Sequence, residues 1–267
     1  MGDYKFDTFY YSKDKSNEHY LSEIETLSDD DYRSLYKGKM YCPWCEGPQL
    51  SLVKKVGISY LRTYPKQPHI LVDGEMCPYE CDTASKKVVE EYIQELRKKN
   101  KIKSLLEATM RRLFKQDIPK SVTEKFTGNQ SGNPLLIEKV QSDNTIKKNI
   151  IPHYSFKSWG KNIPQDQLLL VYGKVYIELK DTHTVDKEGN ELTHTYIHFK
   201  DINKKKLITS CRKPDELEAC EGYHYAVILG KCYSKTTDSG HIYYNIRINF
   251  PDAHSILLKS FSPLGIT

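Results

Sequence analysis

The chain has 267 residues, 38% of them hydrophobic and 28% charged, with a formal net charge of +5. That length holds one large domain or two ordinary ones, and the composition excludes a disordered or collagen-like chain. No run approaches the roughly twenty apolar residues of a membrane helix, and the opening MGDYKFDTFYY lacks the apolar core of a signal peptide, so a cytoplasmic protein with no membrane partner is expected.

Residues 1–38 read as an acidic, Tyr-rich lead-in, with Phe9, Tyr10 and Tyr11 ahead of Asp29, Asp30 and Asp31. From Lys39 onward, strand-like pieces (Leu50 to Val53, Ile58 to Thr63) alternate with Gly47, Gly57, Pro65 and Gly74, the punctuation of a small ribbon. Cys42-Pro43-Trp44-Cys45 is a tight knuckle that supplies two soft ligands at one turn. His69 and Cys77 follow within a short ribbon's length, completing a tetrahedral set, and Cys81 is a spare that can replace either. Seven cysteines, an odd number without a secretion signal, fit thiols and metal ligands better than a disulfide framework. Ordinary burial is disfavoured because the knuckle has few apolar neighbours. A redox dithiol needs a helix after Cys45, where Glu46, Gly47 and Pro48 specify a turn. Four protein ligands leave no open position, so the expected cofactor is a structural Zn2+.

The run YCPWC, the strand pair after it, and YLRTYPKQPH leading to CPYE resemble the N-terminal zinc-ribbon segment of competence CoiA-like proteins, over about residues 39–82. The resemblance implies a CxxC, a strand pair, a His in an aromatic context and a closing Cys. This chain departs from it by carrying YPKQPH where the family has an HFAH-like run, which bears on His69. It also implies a nuclease-like region after the ribbon.

Thr83 or Ser85 can cap a helix whose apolar positions are Val89, Tyr92, Ile93 and Leu96. Ile102, Leu105, Leu106 and Leu113 continue the period, in one helix or two broken near Asn100. The ribbon with this extension spans 39–118. Arg97, Lys98, Lys99, Lys101 and Lys103 read as a solvated basic face. Residues 119–163, with Gly128, Asn129, Ser131, Gly132, Asn133 and Pro134, read as an irregular linker that holds a domain boundary.

Residues 164–267 change character. LLLVYGKVYIEL, THTYIHF, KKLITSC, YHYAVILGKCY and HIYYNIRINF are five strands of β-branched and aromatic residues, separated by turn chemistry at Asp186, Gly189 and Asn190, at DINKK and at TTDSG. Pro214, Asp215 and Glu216 predict a short helix between the third and fourth strands. The fold class is therefore α+β: a zinc ribbon with a helical segment, then a mostly-β domain. Its strand order, helix position and Gly173 bend match a five-stranded OB-like barrel.

Period two then sorts the side chains. Val171, Val175, Ile177 and Leu179 share one face of the first strand, with Tyr172, Lys174, Tyr176 and Lys180 on the other. Tyr196 and His198 in the second strand, and Tyr243 and Arg247 in the fifth, add rings and cations to that outer set. Rings interleaved with cations suit unpaired bases and their phosphates, and twenty tyrosines against eight phenylalanines supply them. An amphipathic barrel that is merely Tyr-rich is the plainer reading.

From another class, Asp166, Glu178 and Lys180 form a D…ExK pattern resembling the PD-(D/E)xK metal-dependent nucleases, provided Asp166 comes within metal reach of Glu178. Cys211, Cys220 and Cys232, near His224, read as core thiols. The leading expectation is a non-enzymatic protein that binds nucleic acid, single-stranded DNA or RNA, in replication, recombination, a mobile element or phage defence. The alternatives are the nuclease, or a protein-interaction module of a larger complex with the acidic lead as its docking segment.

Overall fold

Among the described residues strands outweigh helices, in line with the repeated β-branched and aromatic alternation. The computed structural model describes residues 6–56, 58–71, 77–114, 133–140, 143–160, 163–204, 206–218, 220–248 and 253–262. They belong to two compact units: Met1–Val89 with Gly128–Ser158, and Glu90–Thr127 with Trp159–Thr267.

In the first unit the lead-in is built into the fold. β1 (Thr8–Tyr11) pairs with both β2 (Asp14–Tyr20) and β3 (Met40–Tyr41) in an antiparallel sheet. Phe9 is buried within it, and the Tyr11 hydroxyl donates to the Leu35 carbonyl at 2.9 Å. A one-turn helix, α1 (Leu21–Ile24), and α2 (Asp29–Leu35) connect β2 to β3. The acidic run has a structural role here: the Ser28 hydroxyl accepts the Asp31 N–H at 3.1 Å, and Asp29, Asp30 and Asp31 sit at the positive end of α2.

β4 (Leu50–Lys55) and β5 (Ile58–Thr63) form the expected antiparallel ribbon, with Leu52 opposite Leu61. A second small sheet joins β6 (Asp82–Thr83), β7 (Leu136–Val140) and β8 (Ile146–Ile150), and β9 (His153–Ser155) follows. Described residues in 133–160 are thus partly strand, where an irregular linker was expected; residues 119–132 lie outside the described set.

α3 (Lys86–Lys98) and α4 (Ile102–Leu113) are two helices, broken at Asn100, which takes a φ of 53°. In the second unit α4 packs on β13 (Gly222–Thr236) and β15 (Ile256–Ser260). The main strand path there is β12 (Leu207–Arg212), β11 (Glu191–Lys200), β10 (Leu168–Val185), β13 and β14 (Ile242–Arg247), with β15 also paired to β13. The order β13-β10-β11-β12 is a Greek key. The path's outer strands meet: the Thr209 hydroxyl donates to the Tyr244 carbonyl at 2.9 Å, and Ser210 Oγ donates to Asn245 Oδ1 at 2.8 Å.

Register places Val171, Val175, Ile177, Ile197, Phe199, Cys211, Ile228, Cys232 and Ile246 on one face, all buried. Two expectations need correction. The stretch between β12 and β13 forms no helix among its described residues; Pro214 to Leu217 make a turn closed by the Leu217 N–H, because three residues after Pro214 are too few to nucleate a helix against two anchored strand ends. Tyr172 does have the predicted parity but is only 3% exposed, since this region of the outer face is covered by α4, whose following Phe114 meets the Tyr172 ring edge-on at 6.4 Å.

Candidate metal centre and strand face

Four side chains from three separate stretches of the first unit converge: the ligand atoms of Cys42, Cys45, His69 and Cys77 all lie within 4.8 Å of one another. Cys42 leaves β3 and enters a turn held by two backbone bonds, Cys42 N–H to the Pro48 carbonyl and Glu46 N–H to the Cys42 carbonyl, each 3.0 Å. Glu46 takes the left-handed φ of 54° that reverses the chain after Cys45. Gly47 then permits a close approach. A Cβ there would stand 3.3 Å from the Ile70 side chain and 3.4 Å from Cys45 Sγ, a tight fit in which the neighbours would have to give by a few tenths of an ångström.

The ribbon β4–β5 returns the chain to bring His69 Nδ1 within 3.3 Å of Cys45 Sγ, while Cys77 Sγ sits 3.7 Å from Cys42 Sγ. A tetrahedral ion with bonds of about 2.3 Å to sulfur separates its sulfurs by about 3.8 Å, so the spacing fits a shared ion. It is far too long for a disulfide, and none of the seven cysteines is disulfide-bonded. Phe6 stacks between the site and the core, 6.3 Å from His69 and 4.7 Å from Tyr79. The Tyr79 hydroxyl donates to Nε2 of fully buried His153 at 3.1 Å, and His153 Nδ1 donates to the Ile151 carbonyl; burial keeps this imidazole neutral by holding its pKa below the usual value.

The three sulfurs cannot comfortably all ionise on their own. Burial pushes Cys42 up to about 12, and hydrogen bonding with Cys42 and Cys45 pushes Cys77 up as well. The charge settles on Cys45, whose pKa falls because Cys42 and Cys77 hydrogen-bond to its thiolate. A divalent cation at the centre neutralises several thiolates at once, which is why such a set favours metal. Cys81 stands outside the cluster: the turn Pro78–Glu80 follows Cys77 and carries the chain onward into β6, so the spare ligand is not used.

The second unit brings some predicted side chains together and separates others. Lys180 faces Tyr196 across β10 and β11, and Tyr196 faces Arg212 across β11 and β12. In the neighbouring row Glu178, His198 and Ser210 align, and Ser210 bonds to Asn245 of β14. Asn245 faces Tyr233, whose ring carries the Arg247 guanidinium at 4.9 Å. Burial, then the charge of the Tyr196 hydroxyl, raise the Tyr233 pKa. Tyr243, on the same strand, is exposed and packs edge-on to His241 at 4.8 Å. Burial lowers His198, so at neutral pH it offers an uncharged ring.

Arg212, Ser210, Tyr233 and Asn245 were missed as site residues because their relevance comes from cross-strand register. Tyr176 and Lys174 lie elsewhere: the Tyr176 ring meets Tyr223 at 5.0 Å under Lys204 Nζ at 4.3 Å, and Lys174 Nζ lies 5.6 Å from the Tyr225 ring.

The D…ExK residues do not assemble. Asp166 precedes β10 and lies 3.8 Å from Lys231, whereas Glu178 is ten residues along the strand from Leu168, a contour of roughly 30 Å at strand rise. Glu178 is instead paired with Lys200 at 2.7 Å and Lys180 at 3.6 Å, which lowers its pKa chiefly through the Lys200 hydrogen bond. Cys211, Cys220 and Cys232 are buried, with pKa values raised by that burial. His224 is held by the Gly222 carbonyl and Ser260. Among the described residues, the Cys42 set is the metal-competent group of three or more. No helix among them is long and apolar enough to cross a membrane. Comparison with protein-family models, with curated proteins and with solved structures returned no match.

Proposed function

We propose that the protein binds single-stranded nucleic acid on the β11–β12–β14 face, without catalysis, and that Cys42, Cys45, His69 and Cys77 hold a structural Zn2+. The observation that carries this reading is the band Lys180–Tyr196–Arg212, continued by Asn245, Tyr233 and Arg247. Rings give every base a stacking partner, and the guanidinium groups beside them meet phosphates, whatever the sequence. The Greek-key path and the contact between β12 and β14 support an OB-like barrel, in which the second and third strands form the usual oligonucleotide face. Three thiolates and one imidazole, all protein-derived, are a structural zinc set.

Fluorescence anisotropy with labelled DNA and RNA oligonucleotides tests the reading. Binding should weaken steeply as salt rises, and Tyr196→Ala with Tyr233→Ala should each cost about 1 to 3 kcal/mol of affinity. Arg247→Gln should also flatten the salt dependence by about one unit of slope. Absence of binding at low salt, or indifference to all three substitutions, refutes it.

A further inference from the structure

The ribbon β4–β5 does more than deliver His69 to the metal centre. Its residues 50–63 read LSLVKKVGISYLRT, with Lys54, Lys55 and Arg62 and no Asp or Glu. Register divides it into two faces. Leu50 and Leu61 are buried on one, and Lys54 on that side is tied to Asp29 and to the Leu27 carbonyl. The other face presents Val53 opposite Tyr60, Ser51 opposite Arg62 and Lys55 opposite Ile58, with Lys55 Nζ 5.7 Å from the Tyr60 ring. At the tip, Val56 is fully exposed at 104% and Ile58 is 37% exposed. Val56 and Ile58 together leave an aliphatic tip beside the basic face, surface that a partner would gain by burying.

We propose that this ribbon is a second nucleic-acid contact, a basic arm that lies in a groove of duplex DNA and inserts Val56 between base pairs. Size and charge both favour that occupant. A two-stranded ribbon fits a DNA groove, and the carboxylate-free face with Lys55 and Arg62 complements the phosphates on its walls. Two aliphatic side chains bury too little area to hold a membrane surface, but a single apolar wedge suffices to unstack a base step and kink the helix. The metal centre at the base of the ribbon supplies the rigidity a wedge requires. This contact is in the first unit and is independent of the strand face proposed for single strands.

The test uses the intact, metal-loaded protein and a closed-end DNA dumbbell, which offers little unpaired sequence to the strand face, with donor and acceptor dyes on its two arms. The wild-type protein should bind the dumbbell with salt-sensitive affinity and raise energy transfer as the duplex bends. Val56→Asp should abolish the bend and weaken dumbbell binding about tenfold, a loss within the range of a disrupted base-step contact, with melting temperature and metal content unchanged because Val56 touches no core. Lys55→Gln and Arg62→Gln should each reduce the salt slope by about one. The proposal is overturned if the wild-type protein ignores the dumbbell at low salt, if Val56→Asp binds and bends it as well as wild type, or if the ribbon variants lose affinity for anionic vesicles instead. Dumbbell binding with no affinity for single strands would uphold this inference while refuting the strand-face reading.

Discussion

Cys42→Ser is expected to release the metal and unfold the first unit while the second still melts cooperatively. Structural zinc sites of this type contribute an apparent ~10 to 16 kcal/mol near neutral pH, as much as the roughly 5 to 15 kcal/mol by which most domains are stable at all. Here an ion held by the four ligands would join β3, the end of the β4–β5 ribbon and the segment before β6, which packing otherwise holds through buried groups such as Phe6, Met40, Leu50, Leu61 and Tyr79. A Ser hydroxyl at position 42 is a far poorer ligand than a thiolate and leaves two sulfurs and an imidazole around the ion. Elemental analysis should show the bound metal lost, and limited proteolysis should cut within residues 1–89. Acidification should act in the same direction. The ligands bind as thiolates and neutral imidazole, and without the ion, burial, with a smaller push from Cys45, holds Cys42 up at about 12, so protons compete for it and lowering the pH weakens binding. Retention of stoichiometric metal and unchanged melting in Cys42→Ser would refute the site.

Gly230→Ala should be the most damaging small substitution in the second unit. A Cβ at Gly230 would stand 2.5 Å from Ile246 Cγ2 and 3.0 Å from the Arg247 carbonyl oxygen, where β13 turns from β10 toward β14. The clash is partly with backbone, so a rotamer change cannot relieve it and the strands must separate. Overpacking of this kind costs about 1 to 3 kcal/mol, a fall of several degrees in the melting transition of a unit this size. Because β14 carries Asn245 and Arg247, single-strand affinity should fall as well, well below saturation where folded protein remains. Normal melting in Gly230→Ala would show that β13 and β14 are not packed this closely.

Local pattern carried much of this to the reader of the sequence. The Cys42 knuckle, His69 and Cys77 were legible because ligand chemistry is tied to spacing, and the strands because alternation is tied to side-chain direction. Three things were not. Cys81 is as suitable a ligand as Cys77 by type, and only the turn Pro78–Glu80 directs it away. Tyr172 shares parity with Tyr176 and Lys180, but whether an outward ring meets water or α4 depends on a helix some sixty residues earlier in the chain. The pairing of Tyr196 with Arg212, and of Tyr233 with Asn245, is fixed by register between strands, which no single strand encodes. The aromatic lead-in illustrates the same limit in part: Thr8–Tyr11 pairs with Asp14–Tyr20 beside it, but its other edge is closed by Met40–Tyr41 from thirty residues away.

The face itself can be located directly. Ultraviolet cross-linking of the intact protein to an oligonucleotide carrying photoreactive 4-thiouridine, followed by peptide mass spectrometry, reports which side chains lie against bases. The predicted cross-links fall in the peptides of Tyr196 and Arg212 and of Tyr233 and Arg247. Cross-links confined to residues 1–89, or to the Tyr176 and Lys174 end of the sheet, would contradict a single-strand site on the β11–β12–β14 face.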